Sequence, residues 1–214
     1  MLSLRSPFPR VRRDNQIAYG GNQMWSEKKL IRSVGCGPVA ALDLLRYLSG
    51  ETGREPMPLA EYDGVLTELC RHYFPLIPGH GINGVTLAIG LNRLFRRSGL
   101  HYRASWAFSG SKLWERVREM LERDVPVILS IGPNFPLVWR KERLPFYSRR
   151  ADGSFVRSSS AKSHYVTVTG MDESWVQISS WGREFFIKRQ EYDDFVRRHS
   201  TSLFSNVMYV KRTD

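Results

Sequence analysis

Two residues far apart in the chain have the types and settings that nucleophilic chemistry requires. Cys36 lies in Gly35-Cys36-Gly37-Pro38-Val39-Ala40-Ala41, at the head of an amphipathic run. Gly35 and Gly37 leave the backbone open around the sulfur. Pro38 suits a first helical turn, where its missing N–H would have no partner in any case. A thiol placed there faces the positive end of a helix, which favours thiolate. The first-turn amides could also hold an oxyanion formed beside the sulfur. His164 opens the strand-like stretch His164-Tyr165-Val166-Thr167-Val168-Thr169. Facing the thiol across a cleft, its imidazole would be the general base. The plainer alternative is that Cys36 is a small buried hydrophobe, as most lone cysteines are, and His164 only starts a strand. Cys70 shows that plain setting, mid-helix beside Leu69 and Tyr73 with nothing to lower its pKa.

A cysteine–histidine pair also needs a group on the second imidazole nitrogen, normally Asn or Asp. One hairpin beyond His164 the chain reads Ser179-Ser180-Trp181-Gly182. Ser179 is the candidate, neutral and shorter than the usual group, with Gln177 and Asp172 as neighbouring alternatives. The other histidines fit the role less well. His72 and His101 lie among Arg and Tyr, His80 is in a glycine loop, and His199 ends a charged helix. No two histidines are four apart and no Cys-x-x-Cys occurs, so no metal is expected. No other cofactor is expected either. Gly79-His80-Gly81-Ile82-Asn83-Gly84 matches Gly-x-Gly-x-x-Gly. It lacks the preceding buried strand and the following acidic residue of a dinucleotide site, and reads as a loop that starts a helix.

The elements that must position these residues fall in two groups. Helices are expected over about 37–49, 59–73, 83–97 and 112–123, from apolar spacing of three and four. Gly50 would end the first and Ser111 would cap the fourth. Strands are expected over 125–131, 144–147, 154–157, 164–169, 175–179, 184–187 and 204–211, with Asp152-Gly153 as a hairpin turn and a helix at 189–199. Residues 1–25 read as an extended arm or loops. Helices first and antiparallel strands later give an α+β layout. One domain is expected: an arm at 1–25, a helical lobe at about 26–124 and a sheet lobe at about 125–214.

Composition narrows the partners. The 214 residues carry 32 Lys and Arg against 21 Asp and Glu, a formal charge of +11. The excess is scattered in pairs such as Arg12-Arg13 and Arg96-Arg97, not in a stripe, so nucleic acid is not the expected partner. Two cysteines are too few for a disulfide framework. The start has no signal-like apolar run, and no stretch reaches the ~18 apolar residues of a membrane helix. The expected setting is cytoplasmic with reduced thiols, unless a leader has been removed, and no membrane partner is expected.

Taken together, these motifs resemble the papain-like cysteine peptidase superfamily. The closest likeness is to its bacterial branch related to bacteriocin leader-processing peptidases. That branch has a Cys-Gly-Pro helix start and a His-Tyr/Phe-Val-Val-Val-x-Gly-Tyr-Asp strand. Here these read Cys36-Gly37-Pro38 and His164-Tyr165-Val166-Thr167-Val168-Thr169-Gly170-Met171-Asp172. Ser179-Ser180-Trp181-Gly182 is similar to the Asn-Ser-Trp-Gly of plant-type members, with Ser179 in place of Asn. The resemblance implies a helical lobe packed on an antiparallel sheet with a cleft between them. It also implies an upstream glutamine in the oxyanion hole, for which Gln23 is the match, with Asn22 and Gln16 behind it. The implied function is hydrolysis of a peptide or isopeptide bond in a peptide or protein substrate, with Cys36, His164, Ser179 and Gln23 as the catalytic set. Two alternatives stay open: an inactive module that binds peptides in the same cleft, and an acyl transferase using the same pair.

Overall fold

The structure is a computed structural model; it describes every residue except Thr52, Arg54 and Asp214. In chain order the elements are β1 (Leu2–Ser3), β2 (Arg10–Arg13), β3 (Gln16–Tyr19), a 3₁₀ turn (Gln23–Trp25), α1 (Lys29–Val34), α2 (Cys36–Leu48), β4 (Met57–Pro58), α3 (Leu59–His72), α4 (Gly84–Arg97), β5 (Tyr102–Trp106), α5 (Leu113–Glu122), β6 (Val127–Ile131), β7 (Leu144–Arg149), β8 (Phe155–Ala161), β9 (His164–Met171), β10 (Trp175–Ser180), β11 (Arg183–Lys188), α6 (Arg189–His199) and β12 (Val207–Arg212).

The fold is α+β. Eight strands run in the order β5-β12-β6-β9-β10-β11-β7-β8, and β1 adds to β9. Every pairing among the described strands of this sheet is antiparallel. β6 is buried along its whole length, as its largely apolar sequence, interrupted by Ser130, suits in a central strand. β9 lies between β6 and β10, with Ile131 opposite His164 and Thr167 opposite Ser179. That register puts the start of the histidine strand near the end of β10.

The cysteine helix is the other central element. Val39, Ala40, Ala41, Leu42 and Leu44 of α2 are all buried. Such a wide apolar face suits a helix packed on several sides, and α2 meets β9, β6, α3 and α4. Gly50, at φ 72°, takes the left-handed position after the last turn. Asn83 caps α4 by accepting the Thr86 N–H at 2.9 Å, so the glycine-rich stretch before it leads into a helix.

Three features differ from the sequence reading. Residues 1–25 are not a loose arm: β2 and β3 form a hairpin, and β1 pairs with the far end of β9. Strand β5 lies within the expected helical stretch and supplies one edge of the sheet through β12. Ser111 does not cap α5; Lys112 holds that position without a side-chain bond. The Ser111 hydroxyl pairs with Ser109 instead. No described helix is long and apolar enough to cross a membrane.

Candidate active site

Cys36 is the first residue of α2. Gly35 closes α1, donating its N–H to the Ile31 carbonyl at 2.8 Å, and opens α2 at the same time. A Cβ on Gly35 would lie 2.5 Å from that carbonyl. Gly37 is constrained from the other side, since a Cβ there would lie 2.7 Å from Ile82 Cγ2 and 3.3 Å from the Tyr165 ring. Gly35 therefore lets α2 follow α1 without a gap, and Gly37 lets the start of α2 sit against β9, beside the residue after His164.

His164 is buried, 8% exposed. Ser163 before it is in the left-handed region at φ 50° and donates its N–H to the Gly132 carbonyl at 3.2 Å. The imidazole Nε2 is 2.8 Å from the Ser180 hydroxyl. Trp181 stacks on the ring, with centroids 4.7 Å apart and planes at 22°. Trp181 and Gly182 form the two-residue turn between β10 and β11, at φ 51° and 72°. A turn with both positions at positive φ usually takes Asn-Gly or Asp-Gly. A bulky residue there is strained by about 1–3 kcal/mol. The strain sits at the residue that covers His164.

Cys36, His164, Gln23, Asn22, Ser180 and Asp43 line one small cleft. Its interior offers about 10 Å³ to the centre of a water-sized sphere, enough for about one water. Gln23 donates from Nε2 to the Arg32 carbonyl at 3.1 Å. An amide nitrogen carries two hydrogens, so this contact leaves one donor over.

Ser179 makes a different contact from the one expected. Its hydroxyl donates to the Tyr19 carbonyl at 2.8 Å, and the neighbouring Ser180 makes the bond to His164. Sequence spacing located the hairpin but not which of two adjacent serines turns inward. The bulge between Gln177 and Ile178 shifts the register just before them. Gln177 bonds Glu184, and Asp172 caps the turn at Ser174 and Trp175, so neither reaches the imidazole. Asn22 caps the Gln23 turn and donates to the Trp181 carbonyl, while Gln16 is exposed on β3.

Both groups rest neutral. Burial pushes the His164 imidazole down to about 3, and the Arg143 guanidinium adds to the effect. Burial also pushes the Cys36 thiol above its ordinary value, against the backbone amides of Tyr165, Gly37 and Cys36 itself. The helix start was expected to favour thiolate, but loss of water around the sulfur outweighs it. Asp43, two turns further along α2, is a residue that the sequence reading passed over. It is 2% exposed, and burial raises it to about 6. A lone Asp amid apolar helix positions was the available signal.

No family model matches the chain, nor does any curated protein at the level of sequence. Among solved structures, one of a Bacillus anthracis protein described as a candidate C39-like peptidase superposes with a TM-score of 0.50. The match covers 96% of this chain and 99% of that one, at 15% identity. The fold is papain-like. At that identity the likeness speaks for the papain-like architecture alone, and the chemistry has to be argued from the residues in the cleft.

Proposed function

We propose that the protein is a papain-like cysteine hydrolase acting on a peptide or isopeptide bond. The supporting observation is that a cysteine at a helix start and a histidine oriented by a hydroxyl and covered by a tryptophan line the same cleft. In this reading the Cys36 sulfur attacks the carbonyl carbon while its proton passes to Nδ1 of His164. The Cys36 N–H and the unused Gln23 donor hold the oxyanion. His164 then returns the proton to the leaving amine, and water releases the acyl group from the sulfur. Among papain-like branches, the histidine-strand motif favours the one related to bacteriocin leader processing.

Neutral resting groups predict a distinct alkylation profile. Iodoacetamide should label Cys36 ahead of Cys70, whose thiol burial and Asp63 push to about 12. The Cys36 rate should climb through pH 8 and above, because thiolate forms only there. A flat rate from pH 5 to 8 would instead reveal a preformed thiolate–imidazolium pair.

Ser180 sets the expected level of activity. A serine hydroxyl can accept from Nε2–H or donate to Nε2, so it does not fix the tautomer that leaves Nδ1 basic. Ser180→Asn supplies a carbonyl oxygen that can only accept. It should raise turnover of a fluorogenic peptide library by roughly an order of magnitude, a part of the ~10⁴-fold that a wrong tautomer costs. Ser180→Ala should cost about 1 kcal/mol or less. If wild type and Ser180→Asn are both silent on every peptide while one still binds the cleft, the peptide-binding reading replaces the enzyme. The neutral imidazole and the serine partner are what favour that second reading. An acyl transferase with the same pair would release product only with an added amine.

A further inference from the structure

The segment Gly20–Gln23 crosses the cleft and touches both of its walls. On one side the Gly21 N–H donates to Asp43 Oδ2 at 2.9 Å, and the Tyr62 hydroxyl of α3 donates to Asp43 Oδ1 at 3.1 Å. On the other side the Gly21 carbonyl accepts the Gly182 N–H at 2.8 Å, and the Tyr19 N–H donates to the Gly182 carbonyl at 3.0 Å. Asn22 donates to the Trp181 carbonyl at 3.2 Å. The fit leaves no room for side chains at Gly20 and Gly21. Gly20, at φ 76°, is pressed between Ser179 and Asp43, and a Cβ on Gly21 would overlap the Tyr62 ring. The segment thus ties the helix that carries Cys36 to the hairpin that carries Ser180 and Trp181, and it ends in Gln23.

We propose that Asp43 is the positioning residue of this site: its carboxylate holds the Gly20–Gly21 backbone, and through it sets Gln23 beside the thiol and Trp181 over His164. The catalytic consequence rests on the reading of Cys36 and His164 as a reacting pair; the mechanical one does not. A carboxylate can accept from both donors at once. A protonated carboxyl accepts the Gly21 N–H only as a weaker neutral bond, with the Tyr62 hydroxyl turned round to accept from it. The charged and titratable groups around it are Arg46 one turn along α2, Tyr62 from α3 and Tyr19 from β3. Arg46 is itself held by Glu51 at 3.0 Å. Neither tyrosine loses its proton below pH 10, since burial raises both, and the cleft also contains His164, held near 3. Loosening between pH 7 and 5 therefore belongs to Asp43, which sits at about 6.

The test is amide NMR of the wild-type protein between pH 7.5 and 5, followed by Asp43→Asn. The Gly21 N–H should titrate with a midpoint near 6, and the Gln23 side-chain amide and Trp181 indole should move with the same midpoint. In Asp43→Asn that common transition should vanish. On any peptide the wild type cleaves, kcat should fall roughly 10- to 100-fold, as for a misplaced site, with KM changing little. If Gly21 titrates while Gln23 and Trp181 stay still, Asp43 serves only its own loop and the proposal fails. It fails equally if the common transition persists in Asp43→Asn. Should that variant not fold, the wild-type titration alone decides. Absence of any cleavage by wild type would sink the hydrolase reading but leave the NMR result to judge the strap.

Discussion

Replacing His164 by alanine should reduce thiol-dependent turnover by roughly 10²- to 10⁴-fold, the range that a general base contributes. The same substitution should also make the fold less sensitive to acid. In the folded protein His164 is held near 3, while an unfolded histidine titrates near 6.5. The unfolded chain therefore takes up a proton that the folded chain refuses. Stability from this group is complete above pH 6.5 and is lost as pH falls toward 3, by up to about 5 kcal/mol. Asp43 acts in the opposite sense, because a carboxyl raised to about 6 favours the folded state below that pH. Urea titrations of wild type and His164→Ala at pH 7 and pH 4.5 would separate the two groups. The variant should lose less stability on acidification than the wild type. An unchanged pH dependence would mean that His164 is far more hydrated than its burial indicates.

The second large effect is expected at Trp181. Replacing it by glycine relieves the left-handed strain of about 1–3 kcal/mol but removes the stacked ring from His164 and from Phe146 at 5.5 Å. A large aromatic truncation costs about 3–5 kcal/mol, so a net loss of about 2 kcal/mol, within about 0–4, should remain. The sharper readout is the imidazole. With its cover gone, His164 should titrate about two units or more above its wild-type value, moving toward 6.5, as followed by ring-proton NMR. Iodoacetamide should also reach Cys36 faster in this variant. A His164 that still titrates near 3 would assign its dehydration to the surrounding sheet, with Trp181 only packed alongside.

Much of the architecture was legible because its signals are local. The apolar spacing of α2, α3, α4 and α5 placed all four to within a residue or two, and Gly50 marked the end of α2. The places of Cys36 at a helix start and His164 at a strand start were legible because Gly35, Gly37 and Pro38 mark the helix and alternation marks β9. What the sequence did not disclose depends on contacts between distant segments. Leu2–Ser3 is a strand only because β9 offers it partners, and β5 looks like an ordinary connection until β12 lies beside it. The choice between Ser179 and Ser180 turns on a bulge, which shifts the side-chain alternation within a single strand. Asp43 was overlooked for a similar reason. Its partners are the Gly21 backbone and Tyr62, neither of which its own helix pattern can point to.

The distance along the chain between the two halves of the cleft also has a consequence in time. The helix that carries Cys36 is complete by residue 48, whereas β9 and the Trp181 turn come more than 100 residues later. At translation rates of roughly 5–20 residues per second, a nascent chain holds the thiol for several seconds or longer before the imidazole of His164 is made. The sulfur has neither base nor cover during that interval. Under the proposed function, a molecule built in this order has no His164 to serve as base for attack on neighbouring nascent chains until its own sheet is made. Its cysteine is most open to oxidants on the ribosome, well before the finished protein buries it.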